Sequence, residues 1–211
     1  MIKYKTVEKE ASAEQVIEKS RFITYIAPVT SREEAEVFIK KIKERHKDAT
    51  HNVPAYVIGD KAELHWASDD GEPSGTSGMP MLHLLTGEGL TNVVVVVTRY
   101  FGGIKLGTGG LSRAYAGSAR LGIDAAGICA MQDINVLKFK IDYSLYRKLQ
   151  NLESGDSFTI KDTDFTDAVR LTIEVPEEDT ERLLGILSDL TNGACTRDSI
   201  SIEKTLGKCK I

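Results

Sequence analysis

The 211-residue sequence predicts an α+β protein of two domains, the second a ferredoxin-like βαββαβ unit, and three observations carry that prediction. Five consecutive valines, Val93–Val97, are followed by a glycine-rich loop and a helix of small residues. A β-branched run this short and apolar on both faces suits a central strand covered on two sides. Glycine use then changes along the chain, with 13 of 18 glycines between Gly71 and Gly127. Charge changes with it. Residues 1–131 carry 16 basic and 16 acidic side chains and residues 132–211 carry 11 and 15, so the net charge of −4 lies in the second part. Domains are therefore expected at 1–131 and 132–211, divided near Ala130–Asp133.

Residues 2–10 and 16–29 read as strands, the second broken at Lys19-Ser20-Arg21 before the apolar run Phe22–Ile26. Ser31 with Glu34 has capping-box spacing, and Ala35, Phe38, Ile39 and Ile42 form one apolar stripe of the helix that follows. His51–Gly59 contains a strand, paired across the Gly59-Asp60 turn with Leu64–Ala67. Residues 68–78 are too rich in turn formers to be regular, and Met79–Leu85 reads as a short helix with Pro80 in its first turn. The valine strand comes next, and a helix is expected after Gly110. In the second domain the expected elements are a strand at Ile134–Ile141, a helix at Ser144–Glu153 and strands at Ser157–Asp162 and Ala168–Val175. A helix at Glu178–Thr191 and a strand at Ala194–Glu203 complete the βαββαβ order.

Composition excludes several classes. With 41% hydrophobic and 27% charged residues there is no low-complexity or disordered bias. No apolar run approaches the roughly 20 residues that span a bilayer, and Met1–Lys5 lacks a signal-peptide apolar segment, so a cytoplasmic protein without membrane attachment is expected. Cys129, Cys195 and Cys209 form no CxxC pair, which indicates reduced thiols rather than a disulfide framework or zinc site.

The glycine-rich stretch is the leading candidate site. Gly102 and Gly107 have P-loop spacing, but Thr108 and Gly109 stand where lysine and serine or threonine belong, so Walker A fails. Ser112 occupies the third glycine position of GxGxxG, which removes a Rossmann cofactor. What survives is charge: between Arg99 and Ile123 there are four basic side chains and no acidic one. A helix start beside such a loop adds free N–H groups and positive potential. The ligand set is thus Arg99, Gly102, Gly103, Lys105, Gly107, Gly109, Gly110 and Arg113, taking an anion. The same glycines are equally explained by tight strand-to-helix packing. Asp69, Asp70, Glu72, Ser74 and Thr76, with His51, form a possible accessory loop, although Asp-Gly and Glu-Pro are also ordinary turn chemistry. Their spacing matches no EF-hand and the histidines share no ligand spacing, so neither a metal nor a cofactor is expected. No nucleophile elbow or reactive-cysteine setting supports catalysis.

The segments Arg99-Tyr100-Phe101-Gly102-Gly103-Ile104-Lys105-Leu106-Gly107, Asp69–Thr76 and Lys19-Ser20-Arg21-Phe22 resemble the R-aromatic-aromatic-G-G, D-D-G-E-P-x-G-T and K-S-R-F motifs of the YigZ/IMPACT family, and His51-Asn52 fits as well. The resemblance covers essentially the whole chain in its bacterial two-domain form. It implies a first domain of the ribosomal-protein-S5 domain-2-like type and a second similar to the last domain of translocating elongation factors. Eukaryotic relatives restrain a stress kinase acting on translation initiation, while bacterial relatives have no settled activity. The implied role is a translation- or stress-linked regulator, not an enzyme in the first instance, that binds RNA, the ribosome or another anion through the glycine-rich loop. A protein-binding regulator without an anion site and a phosphate- or nucleotide-dependent enzyme of the same fold are the alternatives. For the enzyme, Asp69, Asp70 and Glu72 are the clustered carboxylates.

Overall fold

The computed structural model describes residues 2–153, 158–196 and 199–209. It divides into two compact units, one of residues 4–130 and one of residues 131–209 with Ile2 and Lys3, the start of β1 (Ile2–Val7).

The first unit is built on an antiparallel sheet of β2 (Ala11–Ile17), β3 (Ser20–Pro28), β4 (His51–Ile58), β5 (Leu64–Ala67) and β6 (Val93–Tyr100) in the order β2-β3-β6-β4-β5. The valine strand β6 is central, and its pleat sorts the valines by parity. Val93, Val95 and Val97 join a core with α2 (Gly78–Gly87) and α3 (Gly107–Ala126), whereas Val94 and Val96 join a second core with α1 (Arg32–Arg45). All five are fully buried. Each contributes about 1.5–3 kcal/mol by leaving water.

The expected first helix is present and capped as its spacing indicates. Ser31 Oγ accepts from the Glu34 N–H, the Glu34 carboxylate accepts from the Thr30 N–H, and Ala35, Phe38, Ile39 and Ile42 are buried. The expected strand at 16–29 is instead the end of β2 and all of β3, joined through Glu18 and Lys19 with φ of 45° and 64°. Two left-handed residues between paired strands make a tight hairpin, and neither is the glycine or asparagine that signals one. The last helix of the unit starts at Gly107 rather than after Gly110, so Gly109 and Gly110 lie in its first turn.

In the second unit β7 (Ile128–Ile141), α4 (Tyr143–Glu153), β8 (Thr159–Phe165), β9 (Val169–Pro176), α5 (Thr180–Leu190) and β10 (Ser201–Cys209) follow the βαββαβ order. The sheet runs β8-β9-β7 with β10 paired to β7, the ferredoxin-like arrangement. Strand β7 begins six residues before the expected Ile134. Strand β10 begins at Ser201 because residues 191–195 close the end of α5 instead: Asn192 and Gly193 are left-handed and the Cys195 N–H donates to Thr191 Oγ1. Ser157, the expected start of one strand, and residues 197 and 198 within the expected last strand lie outside the described residues. Cys129 and Cys195 are buried and form no disulfide among the described residues. Among the described residues no helix is long and apolar enough to cross a membrane.

Gly102 and Gly109 differ in what constrains them. A Cβ on Gly102 would sit 2.0 Å from the Lys19 carbonyl carbon and oxygen, whereas one on Gly109 would come no closer than 3.5 Å, to an Arg113 guanidinium nitrogen. Gly102→Ala is expected to cost about 1–3 kcal/mol in urea unfolding, and Gly109→Ala to gain up to about 1 kcal/mol from reduced backbone entropy in a helix.

Candidate functional site

Sheet register brings three separated stretches together. Phe22 of β3 pairs with Arg99 of β6, and Arg99 pairs with His51 of β4, so these side chains share the face that carries Val97 and Val53 beneath α3. Arg99 thus continues a buried apolar row, and its side chain is 5% exposed. A charge there requires a partner, because an isolated buried ion is far too costly to retain. Glu72 supplies it. Its Oε1 accepts from Arg99 Nη1 at 2.6 Å and from the Tyr115 hydroxyl of α3 at 2.8 Å, and its side chain is 4% exposed. Burial, and then the Glu72 charge beside it, push the Tyr115 hydroxyl well above its ordinary range, so it remains a donor.

Arg99 Nη2 donates to Ser20 Oγ, which also accepts from the Gly102 N–H, tying the loop back to the β2–β3 hairpin. The guanidinium carbon lies 5.4 Å from the Phe22 ring centre and 5.3 Å from that of Phe101. Both are cation–π distances. The Arg99 Nε–H is buried and has no hydrogen-bond partner among the described residues. On the other side of Glu72, His51 Nδ1 is 2.8 Å from the Asp70 carbonyl. A carbonyl only accepts, so Nδ1 carries a proton and Nε2 faces Glu72 Oε2 at 3.8 Å.

The rest of the accessory loop is occupied by its own structure. Asp69 accepts from the N–H groups of Gly75, Ser77 and Gly78 and from Ser77 Oγ, capping the start of α2. Burial raises its carboxyl pKa, but the Ser77 hydroxyl and these backbone donors outweigh burial and hold it below the usual value. Asp70, left-handed at φ 48°, accepts from the Asn52 N–H and from Lys43 Nζ at 2.5 Å. Thr76 Oγ1 donates to the Pro73 carbonyl, and Ser74 is exposed. Among the described residues no three His, Cys, Asp or Glu side chains are placed to hold a metal.

Of the expected ligand set, Arg99, Lys105 and Gly107 line one cleft of about 420 Å³ with His51, Glu72, Phe101 and the first turn of α3. Lys105, Gly110 and Arg113 line a second of about 460 Å³ with Ile17, Glu18 and Ile104. One expectation is corrected here: Arg99 is not a free cation, since Glu72 already takes its charge. Lys105 and Arg113 are exposed and form no ion pair among the described residues. Gly103 and Gly107 have positive φ, of 87° and 70°, while Gly102 allows close backbone approach. Arg120, on the same helix as Arg113, is paired with Glu88. Ser20 and Tyr115 belong to the constellation and were missed as site residues. Ser20 lay within the K-S-R-F segment, whereas Tyr115 carried no signal beyond being one large polar-tipped residue in a helix of small ones.

Comparison with known proteins gives a consistent result. The Impact N-terminal domain matches residues 18–123, and a domain of unknown function (DUF1949) matches residues 139–194. The chain is 42% identical over 190 residues to IMPACT family member YvyE of Bacillus subtilis (strain 168), covering 90% of this chain and 88% of that protein. It is 33% identical over 180 residues to IMPACT family member YigZ of Escherichia coli (strain K12), covering 84% and 88%. Protein IMPACT of Homo sapiens is 39% identical over 94 residues, 42% of this chain and 29% of that protein. A solved structure described as the crystal structure of an hypothetical protein is 30% identical, covers 99% of this chain and 97% of its own, and has a TM-score of 0.60. The first matched domain contains Ser20, His51, Glu72, Arg99 and Tyr115.

Two stability outcomes follow from this geometry. Arg99→Ala leaves Glu72 buried and without its ion partner, so it is expected to lower unfolding free energy by about 3–5 kcal/mol, whereas Lys105→Ala stays within about 0.5 kcal/mol of wild type. For Asp69 the folded pKa lies below the unfolded one, so its contribution is present above the unfolded pKa and lost as pH falls through the folded value. Asp69→Ala is therefore expected to cost about 1–2 kcal/mol near neutrality. Urea melts at a series of acidic pH values should show wild type and variant converging, and a gap that widens on acidification would refute the capping role.

Proposed function

The chain belongs to the IMPACT family, and we propose that it is a translation- or stress-linked regulator that binds RNA, free or within the ribosome, through the glycine-rich loop. The observation that carries this reading is the composition of the loop's outer surface. Phe101 and Ile104 are 46% and 38% exposed, and Lys105 and Arg113, cations without ion pairs among the described residues, follow them. An exposed ring beside unpaired cations suits an unstacked base and its phosphates, because rings stack on any base while ammonium and guanidinium groups neutralise the backbone. The first turn of the 20-residue α3 adds free N–H groups and positive potential beside Lys105.

The anchored side of the loop supports the same reading. Ser20 and Thr50 hold the Gly102 and Phe101 N–H groups, so the exposed residues are presented from a fixed backbone and lose little freedom on binding. The link to translation rests on family membership and on what relatives of this type do. Arg99 acts here by holding the loop in place with Glu72.

The test is titration of single-stranded RNA, transfer RNA and ribosomes at several salt concentrations. Lys105→Ala and Arg113→Ala should each weaken binding and reduce the slope of log affinity against log salt by about 0.7. Phe101→Ala should weaken binding by about 1–3 kcal/mol with the slope unchanged. Curves identical to wild type for all three variants would remove the loop from RNA binding. Retained capture of a protein partner by those variants would favour the protein-binding alternative.

A further inference from the structure

Behind the exposed loop, the floor of the 420 Å³ cleft has a feature that phosphate binding does not use. Glu72 spends Oε1 on Arg99 and Tyr115, while Oε2 accepts no hydrogen bond among the described residues and lies 3.8 Å from His51 Nε2. His51 is held in one orientation by its Nδ1–H on the Asp70 carbonyl, so Nε2 cannot turn away without breaking that bond. The result is a fixed carboxylate oxygen and a fixed imidazole nitrogen side by side, both lining a cleft whose other wall carries Lys105 and the start of α3. An anion alone does not suit this floor, because Glu72 repels it. A group that carries a hydrogen-bond donor does, provided that a phosphate belongs to the same ligand.

We propose that the Glu72–His51 pair is a ribose-hydroxyl site, so that the cleft distinguishes RNA from DNA. This inference rests on the RNA reading of the loop. With Nδ1 carrying the proton, His51 Nε2 and Glu72 Oε2 are both acceptors, and a 2′-hydroxyl placed between them donates its one proton to the pair. The adjoining phosphate faces Lys105 and the α3 N-terminus. The 2′-hydroxyl is the group by which proteins separate the two polymers at a given nucleotide. A hydrogen bond to a buried carboxylate is stronger than one between neutral groups, and a site built to receive a donor rejects the analogue that lacks it.

The experiment uses the full chain with single-stranded RNA, DNA and 2′-O-methyl RNA of one sequence, titrated at a single salt concentration and then across a salt series. RNA should bind at least about tenfold more tightly than DNA. The 2′-O-methyl RNA, which keeps the ribose conformation but has no O–H at that position, should bind like DNA. His51→Leu should bring the three affinities together while leaving the salt slope unchanged, and a thermal melt establishes that the variant is folded. Equal binding of RNA and DNA by wild type, or equal binding of RNA and its 2′-O-methyl form, overturns the hydroxyl site while the RNA reading of the loop stands. Failure of all three polymers to bind overturns both. The wild-type ratios decide the matter even if His51→Leu does not fold.

Discussion

A carboxylate and a guanidinium, each removed from water, sit at the point where the central strand leaves the core of the first unit. The Glu72–Arg99 pair is 2.6 Å apart, and both side chains are about 95% buried. Desolvating either ion alone would cost several kcal/mol, and their attraction offsets this only with further hydrogen bonds in place. Tyr115 supplies one to Glu72 and Ser20 accepts one from Arg99. The pair therefore contributes little net stability by its presence and a great deal by its completeness. Each group makes the others indispensable, and the four come from the β2–β3 hairpin, the loop before α2, the end of β6 and the middle of α3.

That dependence explains why the neighbouring loops have so little freedom. Asp69 is committed to the N-terminus of α2, Asp70 to the backbone of β4 and to Lys43, and Glu72 to Arg99. Three carboxylates in four residues look like a metal site when read along the chain. In space each faces a different set of donors, and the segment acts as a clasp that holds β4, α1, α2 and α3 about the end of β6. The glycine-rich loop is held in the same manner from the opposite side, with its N–H groups on Thr50 and Ser20.

The two readings of the glycines are compatible for this reason. Gly102 permits the backbone of the loop to rest against the Lys19 carbonyl, which is packing, whereas Gly103 and Gly107 take left-handed conformations that turn Ile104 and Lys105 outward. Close packing on one side of the loop produces exposure on the other. The cleft lies between, floored by Glu72 and His51 and walled by Lys105 and the start of α3.

The sequence by itself determined the elements whose cause is local. The buried valine strand, the capped helix from Ser31, the β4–β5 hairpin, α2 with Pro80 in its first turn and the βαββαβ order all follow from periodicity and terminal chemistry that act within a few residues. It also located every stretch that lines the cleft, because Arg99, Glu72, His51 and Lys105 stood out as residue types. Tertiary structure decided which of them are free. Arg99 and Lys105 read alike along the chain, as basic residues in a glycine-rich segment without acidic neighbours. The parity of the β6 pleat sends Arg99 under α3 with the odd-numbered valines, and Glu72 reaches it from 27 residues away. Whether a cation is spent inside the protein or offered to a ligand depends on strand register and on a contact distant in sequence, and a single local window contains neither.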